Sequence, residues 1–222
     1  YTGTVGQLAA SRFESLSVLL VEAAQVPSRR TQGLPDEAFA RGKVPMTKQE
    51  VRAAVLAKLG VQPGELLWDV GAGTGSVSVE LALAAPRGRV YAVECDPEAC
   101  ALIRQNKEKF AVRNLTLVEG TAPAALENLP APDAVFIGGT KGNLAAVVEA
   151  ALARNPAARI CISAIALETL SAAVAALTAH GLQAEVCQIS VSRAKAAGKL
   201  HLLMANNPIF LITRADEAEK RV

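Results

Sequence analysis

The stretch "LLWDVGAGTGSVSVELA", residues 66–82, decides the fold. An apolar run enters a loop carrying Gly71, Gly73 and Gly75, and a helix-like pattern leaves it. Glycine lets a chain turn tightly off a strand and brings bare backbone N–H groups up to a ligand at a helix start. That is the outline of a nucleotide-cofactor loop.

Working outward, the chain alternates short apolar runs with helical patterns. The runs at 65–70, 89–94, 115–120, 133–138 and 158–164 read as strands, each nearly continuous rather than alternating. Continuous apolar strands suit a parallel sheet covered on both faces. Residues 75–85, 97–110, 143–153 and 167–179 read as helices, and Pro97 suits a first-turn position. After residue 181 come "LQAEVCQISVS" and "NPIFLIT", expected to pair antiparallel at one edge. The prediction is a doubly wound α/β fold with a mostly parallel seven-stranded sheet and an antiparallel edge. The first residues differ: an apolar run at 15–24 leads into a polar, proline-containing linker. This places a boundary near residues 27–35, with the α/β domain over 34–222. The charged tail "RADEAEKRV" is expected to fray.

The cofactor follows from the spacing. The dinucleotide fingerprint GxGxxG asks for a third glycine at position 76, which is Ser76, so the pattern is GxGxG. S-adenosylmethionine carries no phosphate. It presents a carboxylate, an ammonium and an adenosine. Asp69, at the first strand's end, is expected to attract the ammonium. Glu94, at the second strand's end, is expected to accept both ribose hydroxyls. S-adenosylmethionine is therefore favoured over NAD.

Composition excludes other classes. Formal net charge is +2, so no broad basic field for nucleic acid is expected. No apolar run of the ~18 residues that a membrane helix requires occurs, and no secretory leader is recognisable. Cys95, Cys100, Cys161 and Cys187 form no CxxC pair and read as reduced thiols of a cytoplasmic protein. With two histidines and no HxxE or CxxC spacing, no metal site is expected.

The fold and loop resemble class I methyltransferases. In that fold the turn after the third strand, here "EGTAPAAL", holds the adenine and would set Ala122 against the base. The alternative is that Gly120 and Pro123 only shape a turn. "PMTKQEVR" before the domain, Trp68 before Asp69, and "DAVFIGG" at the fourth strand narrow this. Residues 34–213 resemble the decarboxylating precorrin C15-methyltransferases of cobalamin biosynthesis. The resemblance implies a cofactor site lined by Thr47, Gly71, Ala72, Gly73, Thr74, Gly75, Glu94 and Ala122, and a homotetramer. It also implies a precorrin substrate, methylated at C15 with loss of the ring C acetate carboxyl. "GTVGQLAASRFESLSVLLVEA" is similar to the end of a precorrin C5-methyltransferase domain. Residues 1–33 are therefore expected to be a remnant of that half of a two-activity polypeptide.

Such chemistry needs no metal, because a conjugated imine of the macrocycle can take the electron pair left by CO2. Gly138 and Gly139 leave room for a large flat ligand. A many-carboxylate substrate asks for cations. "SRAKAAGKLH", residues 192–201, is expected to be a loop whose Arg193, Lys195 and Lys199 hold substrate, with Arg41, Lys43 and Lys48 opposite and His201 structural. The alternative is a solvated basic loop. Thr47 also reads as the N-cap of a helix starting near Lys48, with Glu50 at the capping-box position. Competing readings are a class I methyltransferase on tRNA or a small metabolite, and a cofactor-binding subunit without activity.

Overall fold

The computed structural model describes residues 2–18, 20 and 32–215. The expectations for residues 21–31 and for the charged tail beyond Ala215 lie outside the described residues; Arg214, its first residue, ends the last strand. The chain divides into two units, Tyr1–Arg30 and Thr31–Val222. In the first, helix α1 (Val5–Ala9) starts at a capping box, in which Thr4 accepts from the Gln7 amide and the Gln7 side chain accepts from the Thr4 amide.

The second unit holds the remaining elements. Helix α2 (Gln49–Leu59) is followed by β1 (Leu66–Val70), α3 (Ser76–Ala84), β2 (Arg89–Glu94), α4 (Pro97–Lys109) and β3 (Leu115–Glu119). Then come β4 (Ala134–Ile137), α5 (Leu144–Arg154), β5 (Arg159–Ala164), α6 (Leu167–Ala179) and β6 (Ala184–Ile189). Strands β7 (Ser192–Ala197), β8 (Leu200–Ala205) and β9 (Ile209–Arg214) close the chain. The main sheet has seven strands in the order β3-β2-β1-β4-β5-β9-β6. Strands β1 to β5 run parallel, and β9 is antiparallel to both β5 and β6.

The reason the sheet is covered twice is visible in β1. Leu67 faces a core shared with Val51, Val55, Leu56, Val77 and Val79 of α2 and α3. Trp68 and Val70 face the opposite core, with Val147 and Val148 of α5 and Ala173 and Leu177 of α6. Each such side chain contributes about 1.5–3 kcal/mol when withdrawn from water. Trp68 is fully buried and its indole N–H donates to the Pro130 carbonyl at 3.1 Å. Helix α4 starts as the sequence requires: Asp96 accepts from the amides of Glu98 and Ala99, and Pro97 holds the first turn.

Two expectations are corrected. Thr47 is not the cap of α2. Lys48 takes that position and makes no side-chain cap bond, while the Gln49 amide donates to Asp36 Oδ1 at 2.9 Å. A carboxylate thirteen residues upstream does the capping, which no local box can reveal. The basic run is not a loop. It forms most of a β-hairpin, β7 paired antiparallel with β8 as a separate two-stranded sheet. Gly198, at φ 62°, and Lys199 make its two-residue turn, the Gly-X arrangement that strand twist favours. The hairpin still leaves the main sheet between β6 and β9 on the side of the parallel strands' C-terminal ends, because Ile189 and Ile209 are paired there.

Candidate cofactor and substrate site

A cavity of about 890 Å³ opens at the C-terminal ends of the parallel strands. Ligands of open α/β sheets bind on this side. Its first half is built by the loops after β1, β2 and β3. Gly71 turns the chain off β1 at φ 72°, and its amide donates to the Val93 carbonyl at 2.9 Å. A Cβ there would stand 2.1 Å from the Gly139 carbonyl oxygen, so only glycine lets the β1 and β4 loops meet. Gly73, at φ 55°, passes under the Val44–Thr47 segment; a Cβ would come within 3.3 Å of the Pro45 carbonyl.

Glu94 organises this half. Its Oε2 accepts from the Gly73 amide at 2.9 Å, and its Oε1 from the amides of Cys95 and Asp96 at 2.7 and 2.9 Å. Glu94 is 9% exposed and lines the cavity. With three N–H groups bound, it keeps lone pairs for further donors. Thr74 is buried, lines the cavity, and its hydroxyl has no protein partner. A buried polar atom without a partner costs stability unless something fills the role. Thr47, Gly71, Ala72, Gly73, Thr74, Glu94 and Ala122 all stand on the cavity wall.

Asp69 and Gly75 do not. Asp69 is fully buried and takes the Ser78 hydroxyl on Oδ2, while Oδ1 has no protein partner. Burial pushes its carboxyl up to about 7. Two residues after Leu67, Asp69 shares that residue's face of the sheet, beneath α3, and is not among the residues on the cavity wall. Gly75, at φ 73°, starts α3 against Ile103.

The cavity's second half follows β4 and β5: Gly138–Gly142, Ser163–Ala166 and Thr169, with Ile209 at the start of β9. Arg193, Lys195 and Lys199 lie on the hairpin and are not among the lining residues. Arg193 instead pairs with Glu50 at 2.7 Å and Asp36 at 3.3 Å. The Arg193 guanidinium holds the Glu50 carboxyl below its usual range. Lys195, Lys199 and His201 are exposed. Of the cations expected opposite, Lys43 lines the cavity, whereas Arg41 and Lys48 do not.

Sequence reasoning missed the supports of the site. Arg52 is fully buried, its guanidinium donating to Asp36, Glu80 and the carbonyls of Leu34 and Thr47, over the Phe39 ring. Glu80 in turn accepts from the Gly33 and Leu34 amides. Asn106 of α4 bonds Ala40 through both its side-chain atoms and reaches the Thr74 carbonyl at 2.8 Å. The available signal was a polar residue at a position where helical spacing asks for an apolar one. Together these bonds hold residues 33–48 across the glycine loop.

This architecture, with its glycine loop held by a strand-end carboxylate, defines a class I methyltransferase. The same fold is found in an S-adenosylmethionine-dependent O-methyltransferase from Thermotoga maritima, at a TM-score of 0.61 and 16% identity over 78% of this chain and 67% of that one. The chain belongs to the precorrin methyltransferase domain family, whose model matches residues 37–214. A Pyrobaculum calidifontis protein named "Probable cobalt-precorrin-6B C(15)-methyltransferase (decarboxylating)" is 47% identical over 82% of this chain and 95% of its own length. The crystal structure of precorrin-6y C5,15-methyltransferase from Geobacter metallireducens aligns at a TM-score of 0.79 and 41% identity, covering 83% of this chain and 98% of that one.

Family and fold imply S-adenosylmethionine, and the lining fits it. The loop offers backbone amides at the start of α3, a buried hydroxyl without a partner, and a carboxylate with spare lone pairs. Among the described residues no helix is long and apolar enough to cross a membrane.

Proposed function

We propose that this chain methylates a precorrin at C15 and removes the carboxyl of its ring C acetate, as a step of cobalamin biosynthesis. The observation that carries the reading is one cavity joining a Glu94-held glycine loop to a wide wall at Gly138–Gly139. S-adenosylmethionine, held by the Thr74 hydroxyl, by Glu94 and against the backbone of the glycine loop and of Ala122, supplies an electrophilic methyl group. The family relationship supports both the cofactor and the substrate class.

The substrate brings its own electron sink. When the acetate C–C bond breaks, CO2 departs and the electron pair passes into the conjugated imine, whose nitrogen takes a proton. The enamine so formed is nucleophilic at C15. Its attack on the methyl group releases the sulfur as a neutral thioether; the nitrogen and C15 protons are then given up, and the exocyclic methylene left on ring C takes one and becomes the ring C methyl. What the protein contributes is position and the exclusion of water. Val44–Thr47 cover the loop side, and the Gly138–Gly139 wall gives a flat macrocycle room to approach.

Three further readings belong to this proposal. Residues 1–33 are a remnant of a C5-methyltransferase half joined to this domain in one polypeptide. The enzyme works in the cytoplasm. It assembles as a homotetramer, a reading supported by the apolar, exposed strand β8. The test is incubation with S-adenosylmethionine and a precorrin already methylated at C5. Mass spectrometry should show one methyl gained and one CO2 lost. Two methyls gained, or none, would overturn it.

A further inference from the structure

The charges of the cavity are unevenly placed. Its titratable lining residues are Lys43, Glu94, Cys95, Asp96, Glu98 and Lys141. All but Lys141 belong to the first half, at the end of β2, the start of α4 or the segment beside Glu98, whose carboxylate accepts from the Lys43 amide at 3.2 Å. In the second half, the wall after β4 and β5, Lys141 is the one titratable group among the described residues.

Its backbone is as unusual as its placement. Lys141 sits at φ 49°, in the left-handed region, within a turn closed by the Asn143 amide on the Thr140 carbonyl at 3.0 Å. Gly142 follows at φ 95°. Glycine would adopt this turn without strain, and a lysine does so at a cost, so turn formation alone does not account for the residue. Nothing stands within 4 Å of a Cβ placed on Gly139 or Gly142, so the backbone on either side of Lys141 is uncrowded. Among the described residues Lys141 makes no ion pair with a carboxylate. From the second half its ammonium reaches across the cavity to the Cys95 side chain; a hydrogen bond with Cys95 first, then Glu94 and Asp96 at longer range, raise its affinity for the proton, so it is charged at neutral pH.

We propose that Lys141 is the anion-binding residue of the substrate half, its ammonium taking a peripheral carboxylate of the tetrapyrrole. The inference rests on the proposed function and deepens it. It moves the cation role from Arg193, which is engaged by Glu50 and Asp36, to a residue on the cavity wall. A clamp on a peripheral carboxylate fixes the macrocycle's rotation in the cavity and so the approach of C15. The carboxyl that leaves as CO2 is better served away from the ammonium, which would stabilise it in place.

The test uses Lys141→Gln, Lys141→Gly and Lys141→Arg in the full chain, assayed with S-adenosylmethionine and a C5-methylated precorrin. Lys141→Gln and Lys141→Gly should raise the apparent KM for the precorrin about fivefold, the upper end for one solvent-accessible ion pair, and flatten its dependence on salt. Lys141→Arg should keep the salt dependence. S-adenosylmethionine affinity, read by calorimetry, should stay within about twofold of wild type in all three, a change too small to register as a lost contact. Lys141→Gly should melt at or above the wild-type temperature, which a purely structural role for the lysine would not give. Wild-type turnover with unchanged KM and salt response in the Gln and Gly variants would overturn the Lys141 assignment alone. Absence of precorrin turnover by the wild type would overturn the functional reading, and the assignment with it.

Discussion

At the scale of the residue, Glu94 and Asp69 show how much a sequence position conveys. Both are acids at strand ends. Glu94 ends β2 and reaches the cavity, where it binds three backbone amides. Asp69, one residue short of the end of β1, alternates with Trp68 and Val70 and so turns under α3. The period of two along the strand already separates Asp69 from the pocket-facing Val70, and weighing that alternation would have placed it off the cavity wall. Two expectations follow. Glu94→Ala should weaken S-adenosylmethionine binding by about 1.5–3 kcal/mol, the range for hydrogen bonds to a charged group, as read by calorimetry. Unchanged affinity would remove Glu94 from the site. Asp69 binds its proton more tightly folded than unfolded, its carboxyl moving from the ordinary 3.8 to about 7. Its contribution to stability is therefore fully present below about pH 4 and is lost as pH rises toward 7. Asp69→Asn should remove that part of the pH dependence. Urea unfolding at pH 5 and pH 8 checks it, and an identical slope in both proteins would contradict the placement.

At the scale of the element, the strands were legible and the hairpin was not. Strands β1 to β5 are mostly apolar runs, and β1 and β4 are buried along nearly their whole length on both faces, which leaves few other readings. In residues 192–201 the charges of Arg193, Lys195 and Lys199 hid the Gly198–Lys199 turn and the alternation of β8. The supports of α2 were illegible for another reason. Arg52 is buried only because Asp36 and Glu80 meet it from distant segments, a pairing that no local pattern encodes. Through Asp36 the hairpin touches the same network: Arg193 binds Asp36 Oδ2 while Arg52 and the Gln49 amide bind Oδ1. Arg193 and Glu50 are 40% and 42% exposed, so their pair contributes little. A double-mutant cycle with Arg193→Gln and Glu50→Gln should give a coupling of about 0.2–1 kcal/mol that falls with salt. Removing a partner from the buried pairs is different. Arg52→Met should cost about 3–5 kcal/mol in chemical unfolding, since it strands two buried carboxylates.

At the scale of the whole molecule, one sheet presents the Glu94-held glycine loop, the Gly138–Gly139 wall and a projecting hairpin on its C-terminal side. An isolated two-stranded hairpin is marginally stable in water. This one exposes Leu200, Leu202 and Met204 on one face, and Leu203, 74% exposed, on the other. Apolar strands of this kind are sites of association. On the homotetramer reading, Leu202→Lys with Met204→Lys should yield smaller species by light scattering, with the fold retained. An unchanged mass would take the hairpin out of the assembly. The central claim is the coupling of two reactions in one cavity. It is tested most directly with methyl-labelled S-adenosylmethionine and a C5-methylated precorrin, the product being read by carbon NMR. The account predicts one labelled methyl, at C15, beside an unlabelled methyl on ring C where the acetate stood. A labelled methyl elsewhere, or a ring C acetate still intact beside a labelled C15, would contradict it.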